Sequence, residues 1–236
     1  MCNLYSMVSN IDAIRAFTRF LNVGPGAGNL GALPGIFANG FGPIVRNTLE
    51  GRELAMSRWG MPSNADNLIG KNYDSGLTNV RRHWIEHWQP WLGVESRCVV
   101  PWTSFSEPDQ VNRTGFHWFA LDDDRPLAFF GGIWTPQWTS VRMVKEGETT
   151  NDLYAFFTTK PNAEVAAYHP KAMPVILRTP EEVEIWLTEP WPVLKKKLVK
   201  PLPDGSLKVV GKGRKKDAPG MPFEGEIVQE IQATLL

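Results

Sequence analysis

Between residues 97 and 159 the chain passes through five apolar or alternating segments, 97–101, 116–121, 127–134, 138–144 and 153–159. Turn-forming clusters punctuate them, among them Asp122-Asp123-Asp124-Arg125-Pro126 and Lys145-Glu146-Gly147-Glu148. Segments this short cannot bury an apolar face alone, and connections of a few residues favour antiparallel neighbours. The pattern predicts an α+β fold built on a curled, largely antiparallel, barrel-like β-sheet with peripheral helices. Nineteen Pro and 21 Gly among 236 residues agree with many short elements, and 12 Phe with 10 Trp supply a core that needs no staples.

The helices and remaining strands are read locally. Asn10 is placed to cap a helix from Ile11, with Ile14, Phe17 and Leu21 on one face. Residues 44–46 and 53–59 read as a hairpin, and 175–177 as a further strand. A short helix limited by Pro90 should carry Trp84, Trp88 and Trp91 on one side. Pro161 suits the first position of a short helix reaching Tyr168, and Thr179-Pro180-Glu181-Glu182 is a capping box before Val183, Trp186 and Leu187. Residues 224–235 read as a last short helix. A Gly-rich loop over 24–42 contains a formal G-x-G-x-x-G, but a helix precedes it and Pro34-Gly35 follows, so no dinucleotide fingerprint is inferred.

Charge narrows the classes of partner. Lys+Arg and Asp+Glu are 25 each, so no global field advertises nucleic acid. Between 195 and 216, however, nine cations face Asp204 alone, a segment read as a solvated tail more readily than as a DNA contact. The expected division is a domain over 1–199 and a basic Pro-, Gly- and Lys-rich extension over 200–236, with a linker at 200–223. Two cysteines make no disulfide framework, and no segment has the length of a membrane span or the pattern of a signal peptide. A cytoplasmic protein without a membrane partner is expected.

The chemistry begins at Met1-Cys2-Asn3. Removal of Met1 would leave Cys2 with an amine and a thiol on adjacent carbons. The amine titrates near ~7.7–8.0 and the thiol near ~8.5, so both are usable nucleophiles. An aldehyde can form a Schiff base with the amine and close onto sulfur as a five-membered thiazolidine. A second residue of a chain also commonly does nothing of this kind.

A competing constellation is His83-Trp84-Ile85-Glu86-His87, a formal H-x-x-E-H. On an α-helix its two histidines lie at i and i+4, able to hold Zn²⁺ while Glu86 activates water. The alternative function is therefore a zinc metallopeptidase, needing a third ligand from His117, His169 or a carboxylate. A second alternative is a non-catalytic DNA-binding module relying on 195–216.

Other motifs fall in a distinctive order. They are Met1-Cys2, Arg58-Trp59-Gly60-Met61-Pro62, Asn79-Val80-Arg81, Arg97-Cys98-Val99-Val100-Pro101 with Glu107 soon after, Phe157-Thr158-Thr159, and the segment from His169-Pro170 to Leu177. In these, over residues 1 to 190, the chain resembles the SOS response-associated peptidase (SRAP) family, whose members shield abasic sites in single-stranded DNA by covalent attachment. The resemblance implies a thiol autopeptidase that removes Met1, crosslinks an abasic site through Cys2, and has an associated lyase activity. It makes Cys2 the nucleophile, places Asn79 and His169 around the sugar-derived aldehyde, and makes Glu107 a proton-transfer partner of the amine. It assigns Arg81 to phosphate and Thr158 to a hydroxyl contact with DNA, while Trp59 reads as a stacking surface or, in preference, as core. No cofactor and no metal is implied, and the partner is single-stranded DNA with abasic sites, bound by a monomer. Taken singly, Asn79 also reads as a helix cap, Glu107 as a surface turn residue and His169 as a loop hydrogen-bonder. Asn3-Leu4 and Pro108 depart from relatives that carry Gly-Arg after the cysteine and an aromatic after the glutamate.

Overall fold

The computed structural model describes residues 2–224 except Leu21 and Pro25. Its strands, in chain order, are β1 (Leu4–Met7), β2 (Asn22–Val23), β3 (Leu33–Phe37), β4 (Phe41–Thr48), β5 (Gly51–Trp59), β6 (Asn79–Val80) and β7 (Arg97–Trp102). They continue with β8 (Ser104–Pro108), β9 (Phe116–Ala120), β10 (Ala128–Met143), β11 (Gly147–Thr159), β12 (Met173–Pro174), β13 (Ile176–Leu177) and β14 (Lys208–Lys212). The α-helices are α1 (Ile11–Thr18), α2 (Ala65–Leu68), α3 (Ala163–Ala166), α4 (Pro180–Thr188) and α5 (Trp191–Leu198).

Five strands close on themselves. β11, β10, β7, β4 and β5 pair antiparallel in that order, and β5 returns to β11 through the parallel partners Leu153 with Arg58 and Tyr154 with Trp59. Five strands of alternating direction leave the first and last pointing the same way, so one parallel joint is geometrically required. Arg46 on β4 braces the wall by bonding Glu53 on β5 at 2.7 Å and Asp152 on β11 at 2.6 Å, with its guanidinium over Trp134 at 4.2 Å.

A second, antiparallel sheet runs in the order β14, β9, β8, β1, β3. Side chains alternate across it. One face sends Tyr5, Phe105 and Phe119 into the main core, where Tyr5 meets Trp59, Phe130 and Phe156 edge-on at 5.2–6.2 Å. The other face forms a small separate cluster of Leu4, Trp118, Ala120 and Val210. Gly42 is needed at the junction of sheet and barrel, because a Cβ there would collide with the hydroxyls of Tyr5 and Tyr154, which bond each other at 2.6 Å. α4 closes one side of the barrel by laying Trp186 on Gly131, where a Cβ would come within 2.6 Å of the indole, and by bonding Gly132 O at 3.0 Å.

The local caps follow their sequence signals. Asn10 accepts from Ala13 N at 2.8 Å to start α1, and Thr179 accepts from Glu182 N at 3.2 Å to start α4. The segments 127–134 and 138–144 form a single bent strand, β10, because a bulge between Thr135 and Trp138 carries pairing across the gap. α3 starts one residue after Asn162, which caps it from Val165 N at 3.3 Å, so Pro161 precedes the helix.

The basic extension departs most from its reading. Up to residue 224 it is no solvated tail: β14 pairs with β9, and Asp217 is fully buried among Arg125, Arg214 and Ser104. Strand pairing and a buried ion cluster bind it where charge counting suggested solvent. The expected helix over 224–235 lies outside the described residues except at Glu224. Among the described residues no helix is long and apolar enough to cross a membrane.

Candidate active site around Cys2

Four distant segments meet where the second sheet packs on the barrel. Cys2 is fully buried at the head of β1, with Sγ 3.5 Å from Leu4 O. Burial raises its thiol well above the ordinary value, and the negative charge of Glu107 acts in the same direction. β1 pairs with β8 through Leu4 and Ser106, which brings Glu107 beside Cys2 from 105 positions away in sequence.

Glu107 is a buried strand residue, which corrects its reading as a surface turn. It belongs to the barrel-facing side with Phe105, since both alternate along β8. Burial raises its carboxyl to about 8, so it is largely protonated at neutral pH.

His169 follows α3, held by its N–H to Val165 O at 2.7 Å. Its Nε2 lies 3.7 Å from Glu107 Oε2. Burial lowers His169 to about 4, with the charges of Lys171 and Arg81 adding to the effect. At pH 7 the contact is therefore between a neutral imidazole and a largely neutral carboxylic acid. Next to this pair Tyr168 stacks on His117 at 3.9 Å.

Asn79 arrives on β6, whose parallel pairing with β11 sets Asn79 opposite Phe156. Its Nδ2 donates to Cys2 O at 2.9 Å and to Thr78 Oγ1 at 2.7 Å, while Oδ1 is buried without a hydrogen-bond partner among the described residues. No α-helix follows Asn79, so the capping role does not apply. Thr78 donates in turn to Asn3 Oδ1 at 3.1 Å, so Asn3 helps tie β1 down. Neither Thr78 nor the Tyr5–Tyr154 pair was foreseen; adjacency to Asn79 is the only signal for Thr78.

The DNA-facing assignments separate. Arg81 is exposed, steadied by Lys171 O at 2.7 Å, and lines an open cleft of about 410 Å³ with Asn79, Arg82, His87 and Trp88. Thr158 is buried on β11, its hydroxyl unpartnered among the described residues. Trp59 is fully buried, stacked on Phe156 at 5.1 Å and bonded through Nε1 to Thr78 O at 3.0 Å. It is core, and its ring offers no face to a base.

The zinc reading is corrected. His83 and Trp84 lie in a turn and a 3₁₀ segment runs only from Glu86 to Trp91, so the i, i+4 geometry of an α-helix is missing. His83 packs against Trp191 and His87 against Trp88. Among the described residues no three His, Cys, Asp or Glu side chains are placed to hold a metal ion. Trp84 is 66% exposed and not part of the core.

Together these elements define an α+β barrel protein whose second residue, a cysteine, is buried among Asn79, Glu107 and His169 as a candidate site. The chain belongs to the SOS response associated peptidase (SRAP) family, whose model matches residues 1–211. Membership gives it a DNA-damage-associated role of peptidase-like or DNA-repair type. A solved structure from Bacteroides thetaiotaomicron is 21% identical with a TM-score of 0.68, covering 98% of this chain and 100% of that one. One from Bordetella bronchiseptica is 21% identical with a TM-score of 0.64, covering 88% and 97%. A phage-related protein from the same organism is 16% identical with a TM-score of 0.62, covering 88% and 92%. At these identities the likeness shows the fold. No curated protein matches the chain.

Proposed function

We propose that the chain captures abasic sites in single-stranded DNA by forming a thiazolidine through Cys2 once Met1 is removed. The reading rests on one observation above the others: Asn79, Glu107 and His169 converge on Cys2 from three separate segments. Hydrolysis of the Met1–Cys2 peptide bond, assisted by the same thiol and carboxyl, consumes one water and frees the amine.

The amine then adds to the aldehyde carbon of the ring-opened sugar. Neutral His169 is suited to accept its proton, and protonated Glu107 to donate one as the carbinolamine loses water. The S–H adds across the resulting C=N bond, sulfur to carbon and proton to nitrogen. One water leaves and nothing is oxidised or reduced. Because burial keeps the thiol protonated, the amine attacks first and sulfur closes the ring. The same acid and base support the reverse reaction and a lyase activity. Arg81 is assigned to a backbone phosphate, which positions the strand without reading its sequence.

The test is a denaturing gel after incubating processed protein with a single-stranded oligonucleotide bearing one abasic site. A shifted band from the native chain and none from Cys2→Ser is expected. No band, or an equal band from Cys2→Ser, would sink the proposal, because serine cannot form the sulfur ring.

A further inference from the structure

Trp84 is the most exposed aromatic side chain among the described residues, at 66%. It stands in a turn closed by Ile85 N to Arg82 O at 3.1 Å. Its ring is braced edge-to-face by His83, with centroids 5.2 Å apart at 86°. His83 is wedged in turn against Trp191 at 5.0 Å, and Trp191 against the buried Phe157 at 5.1 Å. A chain of aromatic contacts thus anchors an exposed indole to the core, so little side-chain freedom remains to be lost when something binds it.

Cations outnumber anions beside Trp84 in sequence, exposed Glu86 being the one carboxylate in 81–87. Exposed Arg81 and Arg82 precede it and line the cleft that Asn79 also lines. Trp191 opens α5, and one turn on, exposed Lys195 lies near enough for its charge to act on His83. An aromatic face flanked by cations is the arrangement that holds single-stranded nucleic acid, bases on the ring and phosphates on the charges.

We infer that Trp84 is a nucleobase-stacking platform, flanked by phosphate contacts at Arg81, Arg82 and Lys195, that holds the single strand beside the Cys2 site. This deepens the capture reading by naming where a base next to the lesion rests.

The test compares fluorescence anisotropy of a labelled oligothymidylate with that of an equally long strand of tetrahydrofuran nucleotides, which have the same backbone and no bases. The native chain should prefer the thymidylate by roughly 5- to 100-fold, the range expected for one or more stacked bases. Trp84→Ala should lose most of that preference, and Trp84→Phe should keep most of it. A native chain that shows no preference overturns the inference. So does a Trp84→Ala that retains the preference, or a Trp84→Phe that behaves like alanine. Neither strand carries an aldehyde, so the outcome is independent of whether Cys2 forms a crosslink.

Discussion

Asn79 donates its side-chain amide to the backbone carbonyl of Cys2 at 2.9 Å, linking the cleft wall to the second residue by one hydrogen bond. The same amide group holds Thr78, and Thr78 holds Asn3. The orientation of the second residue is therefore set by side chains some 75 positions away.

Asn79→Ala should slow covalent capture. It removes two hydrogen bonds and leaves a buried carbonyl unsatisfied, worth about 1–3 kcal/mol, or roughly 5- to 150-fold in rate if felt in full at the transition state. Time courses of crosslink formation on gels measure this, and an unchanged rate would remove Asn79 from the site.

Stability should depend on pH through Glu107. Its folded-state value of about 8 lies above the unfolded value, so the folded chain binds the extra proton and stability falls as pH rises from about 4.5 to 8. His169, lowered to about 4, acts oppositely, its contribution growing from about pH 4 to 6.5. The other three histidines are lowered too, chiefly by burial. Between pH 6.5 and 8 the Glu107 effect thus stands without histidine opposition. The native chain should melt at a lower temperature at pH 8 than at pH 6.5, and Glu107→Gln should flatten that difference.

Capture should follow a bell-shaped pH profile. The rising limb reports deprotonation of the Cys2 amine that attacks the aldehyde. The falling limb reports loss of the Glu107 proton around 8. Glu107→Gln cannot donate that proton, so its rate should be depressed and should lack the falling limb, as single-turnover rates between pH 5 and 10 will reveal.

Trp59→Ala should act on the fold. A fully buried indole packed on Tyr5, Tyr154 and Phe156 is replaced by a cavity, at a cost of about 3–5 kcal/mol in urea unfolding. A variant with native stability but weakened DNA binding would contradict its place in the core.

Asp217→Asn should destabilise the chain by about 3–5 kcal/mol, since it leaves the buried guanidiniums of Arg125 and Arg214 without a counter-charge. Equilibrium denaturation is the readout, and a change under 1 kcal/mol would mean that solvent reaches the cluster.

The strands of the barrel were legible because their alternation and turn residues are local, and so were the caps at Asn10 and Thr179, whereas of the second sheet only β9 was read. α5 was missed, the chain there being rich in Pro and Lys, although Leu194 and Leu198 at i, i+4 mark its buried face. The long β10 was split because a bulge at Thr135–Trp138 imitates a turn. Trp84 was expected on one helix face with Trp88 and Trp91, yet the turn at Arg82–Ile85 directs it outward. The candidate site residues came from family motifs, since no local spacing shows that β1 lies against β8 or that β6 lies against β11. The ties of Asn3 to Thr78 and of Asp217 to Ser104 depend on pairings between segments remote in sequence and left no trace in it.

One of those ties bears on timing during synthesis. Ser6 on β1 donates its hydroxyl to Asp217 O at 2.7 Å, and Ser104 on β8 donates to the Asp217 carboxylate at 2.6 Å. A ribosome delivers residue 217 long after residue 2, so β1 is made first and fastened late. Until then β1 has a neighbouring strand to pair with but no clamp across the pair, and Cys2 at its head gains its full setting only when the chain beyond the barrel has folded back.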